Sequence, residues 1–191
     1  MDERLTVFLV RHGESEWNAE GRLQGQTPNI PLTALGKRQA NQAAIQLTNS
    51  GSQFVLSSDL LRAAETAEII AHSLSVPLRL ESDLREQSLG VFEGRMALEV
   101  RRETDDENWT DPSWRPSGGE SLQDVYLRLE RLFSELSHEQ PNGRVVVVTH
   151  GDTARIALAL LQGKGLDGVT TAVLKNGEVV ELAVTLAPSS P

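Results

Sequence analysis

The chain has 191 residues, of which 39% are hydrophobic and 24% are charged, and this size and composition suit a soluble domain with one sizeable core. The formal net charge of −9 argues against nucleic acid or an anionic lipid surface as a partner, because an acidic protein repels both. The absence of cysteine excludes disulfides, thiolate nucleophiles and cysteine-based zinc sites.

No membrane segment or export signal is predicted. No apolar run approaches the ~20 residues that a helix needs to cross a bilayer, and the first residues lack the pattern of a signal peptide. We therefore expect a cytoplasmic protein with no membrane partner. The acidic charge also disfavours an anionic substrate at long range, so any phosphate site must be built locally from a few convergent cations.

Three short apolar runs rich in β-forming residues are predicted to be buried strands. They lie at residues 5–10, 54–56 and 144–149. The four consecutive valines of the third run favour burial on both faces, as in the central strand of a parallel sheet.

Helical segments separate these strands, with apolar residues at helical spacing and recognisable start and stop signals. Helices are predicted over residues 33–49, from Ser58 or Asp59 to about Leu74, after a capping box formed by Ser121 and Asp124, and over residues 152–161.

The alternation of strands and helices predicts an α/β fold, a three-layer α/β/α sandwich around a mostly parallel sheet. Asn176-Gly177 between apolar segments predicts a hairpin turn, which would give the sheet an antiparallel edge. We expect a single domain over residues 1–187, with a flexible tail at 188–191. Residues 103–120 are polar and predict an ordered excursion over one end of the sheet.

Two of the predicted strands end in a histidine followed by a glycine, at His12-Gly13 and His150-Gly151. In open α/β sheets, ligands bind beyond the carboxyl ends of the strands. Two histidines that are distant in sequence can therefore meet there, and the glycines allow the backbone to approach a ligand closely. This pattern predicts a ligand site at that edge of the sheet.

Several ordered blocks carry a resemblance to a known family. They read LVRHGESEWN (residues 9–18), PLTALG (31–36), SSDLLRAAETA (57–67), LRE (84–86) with GVFEG (90–94), GGES (118–121) and VTHG (148–151). In sequence and in order, these blocks resemble those of the histidine phosphatase superfamily, also called the phosphoglycerate mutase-like family. The resemblance spans residues 5–152, and it implies a phosphoglycerate mutase-like fold.

The resemblance also implies a role for each of five residues in phosphoryl transfer. In this reaction, positioning of the substrate and neutralisation of its charge contribute most to catalysis. His12 would attack phosphorus and form a phosphohistidine. Arg11 and Arg62 would bind the phosphoryl oxygens through bidentate hydrogen bonds, and His150 would donate another as charge develops. Glu86 would protonate the leaving alkoxide and later activate water.

Three further positions are expected to bind substrate: Asn18, Gln24 and Gly151. The expected substrate is a small-molecule phosphate ester. We expect no metal and no cofactor, because cationic side chains take that role. Similar proteins are often dimers, and the sequence leaves both a monomer and a homodimer open.

Competing interpretations exist for the catalytic acid and for several aromatic and basic residues. Glu93 and Glu81 are rivals of Glu86, which the Leu-Arg-Glu context favours. Trp109 and Trp114 either line the mouth of the site or pack in a core. Four arginines either bind a second anionic group or are simply solvated: Arg95, Arg101, Arg102 and Arg115.

The chemistry itself has three candidate outcomes. Mutases of the family are generally longer and carry a tyrosine and basic residues after the catalytic acid, whereas residues 86–94 read EQSLGVFEG. We therefore expect a phosphomonoesterase, with phosphoglycerate mutase as the alternative and a non-catalytic phospho-ligand-binding module as the second alternative. Residues 114–121 resemble bacterial small-molecule phosphatases of the broad-specificity, α-ribazole-phosphate and glucosyl-phosphoglycerate types.

Overall fold

A mixed five-stranded sheet with helices on both faces forms the part of the protein that the computed structural model describes, residues 4–105, 109–170 and 172–184. The strands are β1 (Thr6–Arg11), β2 (Phe54–Ser57), β3 (Leu78–Leu80), β4 (Arg144–Thr149) and β5 (Val179–Ala183). The α-helices are α1 (Glu16–Glu20), α2 (Ala34–Leu47), α3 (Leu61–Leu74), α4 (Ala97–Glu103), α5 (Leu122–Glu139) and α6 (Gly151–Leu161). The expected tail at 188–191 lies outside these residues.

The sheet has the order β3-β2-β4-β1-β5. All neighbouring pairs are parallel except β1 with β5, which is antiparallel and lies at one edge. The predicted fold class is therefore confirmed. None of the helices in the described ranges has the length and apolarity that a crossing of the bilayer requires.

The valine run of β4 separates two hydrophobic layers. Val145 and Val147 pack with residues of α5 and α6, whereas Val146 and Val148 pack with residues of α2 and α3. Successive side chains of a strand point to opposite faces, so a central strand covered on both faces is apolar throughout. All four valines are fully buried.

Local capping explains where α5 begins and corrects the predicted start of α3. The side chains of Ser121 and Asp124 form the expected capping box at α5. Helix α3, however, begins after Leu60 and has no side-chain cap. Ser58 and Asp59 are engaged elsewhere, because the Ser58 hydroxyl contacts a histidine and Asp59 accepts a hydrogen bond from Arg85.

The prediction of a hairpin at Asn176-Gly177 was wrong, because the strand after the turn does not pair with the segment before it. A turn does form there, with Gly177 at φ 75°. Residues 172–175, which precede the turn, form no strand, and β5 pairs with β1 instead. The Gly177 amide donates to the Arg11 carbonyl at 3.0 Å, which directs the chain onto the edge of β1.

Two glycines let the loop after β1 lie directly against the start of α2. A Cβ added to Gly13 would lie 2.3 Å from the Gly36 carbonyl oxygen, and one added to Gly36 would lie 2.1 Å from the Glu14 carbonyl oxygen. No side chain fits at either position. The PLTALG segment therefore serves as a backbone support for the loop that follows β1.

We predict that Leu129→Ala destabilises the protein by about 2–5 kcal/mol, because it removes a fully buried side chain of α5 and leaves a cavity. Leu127→Ala on the same helix is the matched control, since Leu127 is 53% exposed and the expected change is within about 0.5 kcal/mol. Urea unfolding followed by circular dichroism measures both. Equal losses in the two variants would contradict the layer assignment.

Candidate active site

The parallel pairing of β1 with β4 brings two histidines together at the carboxyl end of the sheet. Arg11 pairs in register with Thr149, so His12 and His150 follow directly on adjacent strands. Their rings meet edge to face, with centroids 5.1 Å apart and planes at 63°. His12 is 2% exposed and His150 is fully buried.

The His12 ring has a defined donor side and a defined acceptor side. Its Nδ1 lies 2.6 Å from the Gly13 carbonyl oxygen, which can only accept, so Nδ1 carries the proton. Burial and the charges of Arg62 and Arg11 hold the pKa of His12 well below its ordinary value. The ring is therefore neutral at physiological pH, with its lone pair on Nε2.

The His150 ring is anchored through its other nitrogen. Its Nε2 lies 2.8 Å from the hydroxyl oxygen of Ser58, whereas its Nδ1 is buried and has no partner within the described residues. Burial, together with the charge of Arg62, holds the pKa of His150 well below its ordinary value.

Arg62 is a fully buried cation at the start of α3. Its Nη1 donates to the Thr27 carbonyl at 3.0 Å and its Nη2 donates to the Gly25 carbonyl at 2.8 Å. Burial lowers its pKa to about 10, so it remains charged at neutral pH. Arg11 is half-buried and donates from Nη1 to the Leu174 carbonyl at 2.7 Å.

Unpaired donors mark the space beside these residues. Across the described ranges, four buried side-chain nitrogen or oxygen atoms lack a hydrogen-bond partner, and three of them are Arg11 Nε, Arg62 Nε and His150 Nδ1. Buried polar groups are nearly always paired in folded proteins, so unpaired ones call for an explanation. Two cationic N–H donors and one histidine nitrogen, all without a hydrogen-bond partner, are suited to binding an anionic ligand. The fourth atom is the Ser137 hydroxyl on α5.

The carboxyl group of Glu86 lies over the first turn of α6. Its Oε1 accepts from the Thr153 amide at 3.0 Å and from the Gln87 amide at 3.1 Å, and its Oε2 accepts from the Asp152 amide at 3.3 Å. Burial and the charge of Asp152 raise the pKa of Glu86 despite these donors. Oε2, with one long contact, is the oxygen best placed to carry a proton.

The backbone of Glu86 is held by residues that the sequence analysis did not assign to the site. Arg128 donates from Nη2 to the Arg85 carbonyl at 2.8 Å and to the Glu86 carbonyl at 3.2 Å, and Gln26 donates from Nε2 to the Glu86 carbonyl at 3.1 Å. Glu120 accepts from both of these side chains. Arg128 follows Val125 by three residues on the buried stripe of α5, and a charge at that position was an available signal.

The two rival carboxylates bind loop backbone. Glu93 Oε1 accepts from the Gln26 amide at 2.9 Å and from the Leu89 amide at 3.0 Å, and so joins two loops. Glu81 accepts from the Asp83 amide at 3.1 Å. Within the described residues, no group of three histidine, aspartate or glutamate side chains is arranged to hold a metal ion.

The expected substrate-binding positions border the same edge. Asn18 Oδ1 accepts from the Ser15 amide at 3.2 Å, and Gln24 Oε1 accepts from the Ser15 hydroxyl at 2.7 Å, so both side chains keep an amide NH₂ group for other partners. Gly151 begins α6, and a Cβ there would lie 3.5 Å from Arg11 Cζ. Asn176, which the sequence analysis treated only as a turn residue, donates to the His12 carbonyl at 3.0 Å.

A cleft of about 460 Å³ opens next to Glu86. Its walls are formed by Leu23, Gln87, Leu89, Arg101, Trp109, Thr110, Asp111, Trp114, Leu122, Asp152, Arg155 and Val173.

The arginines whose role the sequence left open divide into two groups. Arg95 and Arg115 form surface ion pairs, with Glu103 at 2.6 Å and with Asp124 at 3.1 Å. Arg101 lines the cleft, and Arg102 is exposed outside its lining.

The sequence of residues 7–187 matches the family model of the histidine phosphatase superfamily (branch 1). The chain therefore belongs to this family. Probable phosphoglycerate mutase GpmB from Salmonella paratyphi C is 39% identical over 153 residues, 77% of this chain and 70% of that protein.

Solved structures of similar proteins cover almost the whole chain. A mycobacterial glucosyl-3-phosphoglycerate phosphatase in complex with VO3 has a TM-score of 0.84 at 30% identity, covering 95% of this chain and 91% of that one. A putative alpha-ribazole-5'-P phosphatase from Escherichia coli K-12 has a TM-score of 0.82 at 28% identity, covering 97% and 98%.

We predict that inorganic phosphate stabilises the protein, by about 2.7 kcal/mol at one hundred times its Kd. Arg11→Met removes one of the unpaired cationic donors and should weaken phosphate binding by roughly tenfold or more. Arg95→Met, which removes an exposed arginine, is the control and should bind phosphate normally. Thermal unfolding over a phosphate titration measures all three proteins, and unchanged affinity in Arg11→Met would refute the assignment of the anion site.

Proposed function

We propose that this protein is a metal-independent phosphomonoesterase that hydrolyses a small phosphorylated metabolite through a phosphohistidine intermediate. The observation that carries the proposal is the set of three unpaired buried donors, on Arg11, Arg62 and His150, at the site of a neutral histidine. A phosphoryl group satisfies all three donors. The membership in the histidine phosphatase superfamily supports the same chemistry.

In the first step, His12 Nε2 attacks phosphorus while the bond from phosphorus to the leaving oxygen breaks. The proton of Glu86 passes to that oxygen, so the product departs as a neutral alcohol. The imidazole becomes cationic, and the hydrogen bond from its Nδ1 to the Gly13 carbonyl stabilises that charge. Arg11 and Arg62 offset the charge on the phosphoryl oxygens.

In the second step, water attacks the phosphohistidine from the side that the alcohol has left. Glu86, now ionised, takes a proton from this water as the bond from nitrogen to phosphorus breaks. His12 returns to its neutral form and inorganic phosphate leaves. One carboxyl group therefore serves both steps, as an acid and then as a base.

Ser58 is proposed to fix the tautomer of His150. The Leu60 amide donates to the Ser58 hydroxyl oxygen at 3.3 Å, which leaves the hydroxyl proton free to point at His150 Nε2. An Nε2 that accepts requires the proton of the neutral ring to be on Nδ1. His150 Nδ1 then donates to the phosphoryl group.

Phosphoglycerate mutase is the second candidate, supported by the 39% identical relative of that name. A mutase must shield the phosphohistidine from water so that a substrate hydroxyl accepts the phosphoryl group. The open cleft beside Glu86 and the lack of the aromatic and basic pattern after it favour hydrolysis. Incubation with 3-phosphoglycerate discriminates the two, since a mutase forms 2-phosphoglycerate in excess of free phosphate.

We propose further that residues 1–187 form one domain and that the protein acts in the cytoplasm on a small molecule. The match of the family model to residues 7–187 supports the first statement. The absence of cysteine and the acidic charge support the others.

His12→Ala should abolish hydrolysis of p-nitrophenyl phosphate measured without added metal, with a loss of about 10³-fold or more in kcat, because the nucleophile is gone. His72→Ala changes an exposed histidine and serves as the control. Reactions with ³²P-labelled substrate, quenched in alkaline detergent because phosphohistidine is acid-labile, should give labelled protein only when His12 is present. Equal activity in the two variants would overturn the assignment of the nucleophile.

Glu86→Gln should impair hydrolysis of ethyl phosphate far more than that of p-nitrophenyl phosphate, because nitrophenolate leaves without a proton and ethoxide does not. We expect a loss of about 10²–10⁴-fold in kcat/KM for ethyl phosphate, because kcat/KM reports on the transfer to His12 and is independent of the second step, which both substrates share. Glu93→Gln is the matched control, and its effect should be the same for both substrates. A Glu86→Gln variant that loses kcat/KM equally on both would contradict the role of general acid.

The pH profile of kcat/KM for ethyl phosphate tests the same assignment, because kcat/KM reports on the ligand-free protein and on the first step. The reaction needs a neutral His12, whose pKa is lowered by burial, and a protonated Glu86, whose pKa is raised by burial. Activity should rise as the pH increases through the lowered pKa and fall as it passes through the raised one. The alkaline fall should be absent in Glu86→Gln.

A further inference from the structure

The cleft lies on the side of the site where the alcohol must leave. Gln87, one of its lining residues, adjoins Glu86 in the chain, and the amide of Asp152, another, donates to the Glu86 carboxylate at 3.3 Å. A third lining residue, Val173, approaches Gly151 closely, with its Cγ1 3.2 Å from the position of a Cβ there. The cleft is therefore continuous with the proposed catalytic acid and with the first turn of α6.

The lining of this cleft is more apolar than charged. Six of its twelve residues are apolar or aromatic: Leu23, Leu89, Leu122, Val173, Trp109 and Trp114. Its charged residues are two arginines and two aspartates, so their formal charges cancel. Arg155 is already paired with Asp152, with Nε 2.7 Å from Oδ1, and its side chain is 12% exposed. The rest of the charged lining is Arg101 and Asp111, one charge of each sign, so the cleft has no excess of positive charge for a second anionic group.

Two tryptophans form one wall. Trp109 and Trp114 are half-buried, with ring centroids 5.1 Å apart and planes at 58°. The Trp109 Nε1 donates to the Thr104 hydroxyl at 2.9 Å, and Phe92 packs behind Trp109 with centroids 6.2 Å apart. The wall is thus held in place before any ligand arrives, and a held aromatic surface binds apolar ligands at low entropic cost.

We propose that the physiological substrate is a phosphate monoester of an uncharged alcohol bearing an apolar or aromatic ring, and that this ring packs against Trp109 and Trp114. This inference rests on the proposed phosphatase function, because the cleft receives the alcohol that Glu86 protonates. The phosphoryl group is the only anionic part of such a substrate. A phosphorylated carboxylic acid would place a second negative charge against a wall that is apolar and, in sum, neutral.

The test compares substrates that share a primary alkyl phosphate and differ in what the cleft must hold. We expect kcat/KM for 2-phenylethyl phosphate to exceed that for ethyl phosphate by about 10- to 100-fold, since a phenyl ring is transferred from water to an apolar surface. The gain should lie mainly in KM. 3-Phosphoglycerate should be a poorer substrate than 2-phenylethyl phosphate.

Variants then assign the preference to the tryptophan wall. Trp114→Ala should lower kcat/KM for 2-phenylethyl phosphate by about tenfold and change that for ethyl phosphate by less than about twofold. Trp114→Phe keeps a ring and should retain most of the preference, which controls for misfolding. Leu98→Ala, which alters an apolar residue that is 69% exposed and outside the lining, should change nothing.

Binding of non-hydrolysable phosphonates separates failure of this inference from failure of the proposed function. 2-Phenylethylphosphonate should bind about tenfold or more tightly than ethylphosphonate in isothermal titration calorimetry, whether or not any ester is hydrolysed. Equal affinities, or faster turnover of 3-phosphoglycerate, would overturn the ring-bearing substrate class. Tight binding of the phenyl compound without hydrolysis of any ester would keep the cleft assignment and refute the phosphatase.

Discussion

The parallel pairing of β1 with β4 is the constraint on which the site depends. The two strands are 138 residues apart at their ends, Arg11 and Thr149, and yet these residues are register partners. One hydrogen-bonded ladder therefore decides that His12 and His150 meet with their rings 5.1 Å apart. A shift of one residue would turn every side chain of β4 to the other face. The alternating burial of its valines against two different layers opposes such a shift.

The active site concentrates positive charge inside a protein whose net charge is negative. The net charge of −9 gives no general attraction for a phosphate ester, so the attraction is local and comes from buried guanidinium groups. Burying Arg62 is unfavourable unless its donors are used, and backbone carbonyls of residues 25 and 27 use two of its nitrogens. The nitrogens left unpaired stay costly until an anion binds, which couples stability of this region to ligand binding.

Much of the fold and of the site could be predicted, because local sequence patterns indicate it. The His-Gly pairs, the valine run and the capping box of Ser121 are local signals, and the family blocks supplied the order of the fold. The hairpin prediction failed because a turn signal at Asn176 does not say which strand will pair. A charge on the buried stripe of α5 marks Arg128 in the sequence, but the contacts of Arg128 and Thr153 with Glu86 depend on how α5 and α6 pack on the sheet. The cleft wall likewise required the position of Trp114 relative to Trp109 in space.

The central claim is that His12 Nε2, two arginines and His150 surround one phosphoryl group. A crystal structure of the protein with bound vanadate tests it most directly, because vanadate adopts the five-coordinate geometry of phosphoryl transfer. The account predicts vanadium bonded to His12 Nε2, with vanadate oxygens within hydrogen-bond distance of Arg11 Nε, Arg62 Nε and His150 Nδ1. Vanadate bound to another nucleophile, or bound at this edge with those three donors still unpaired, would contradict it.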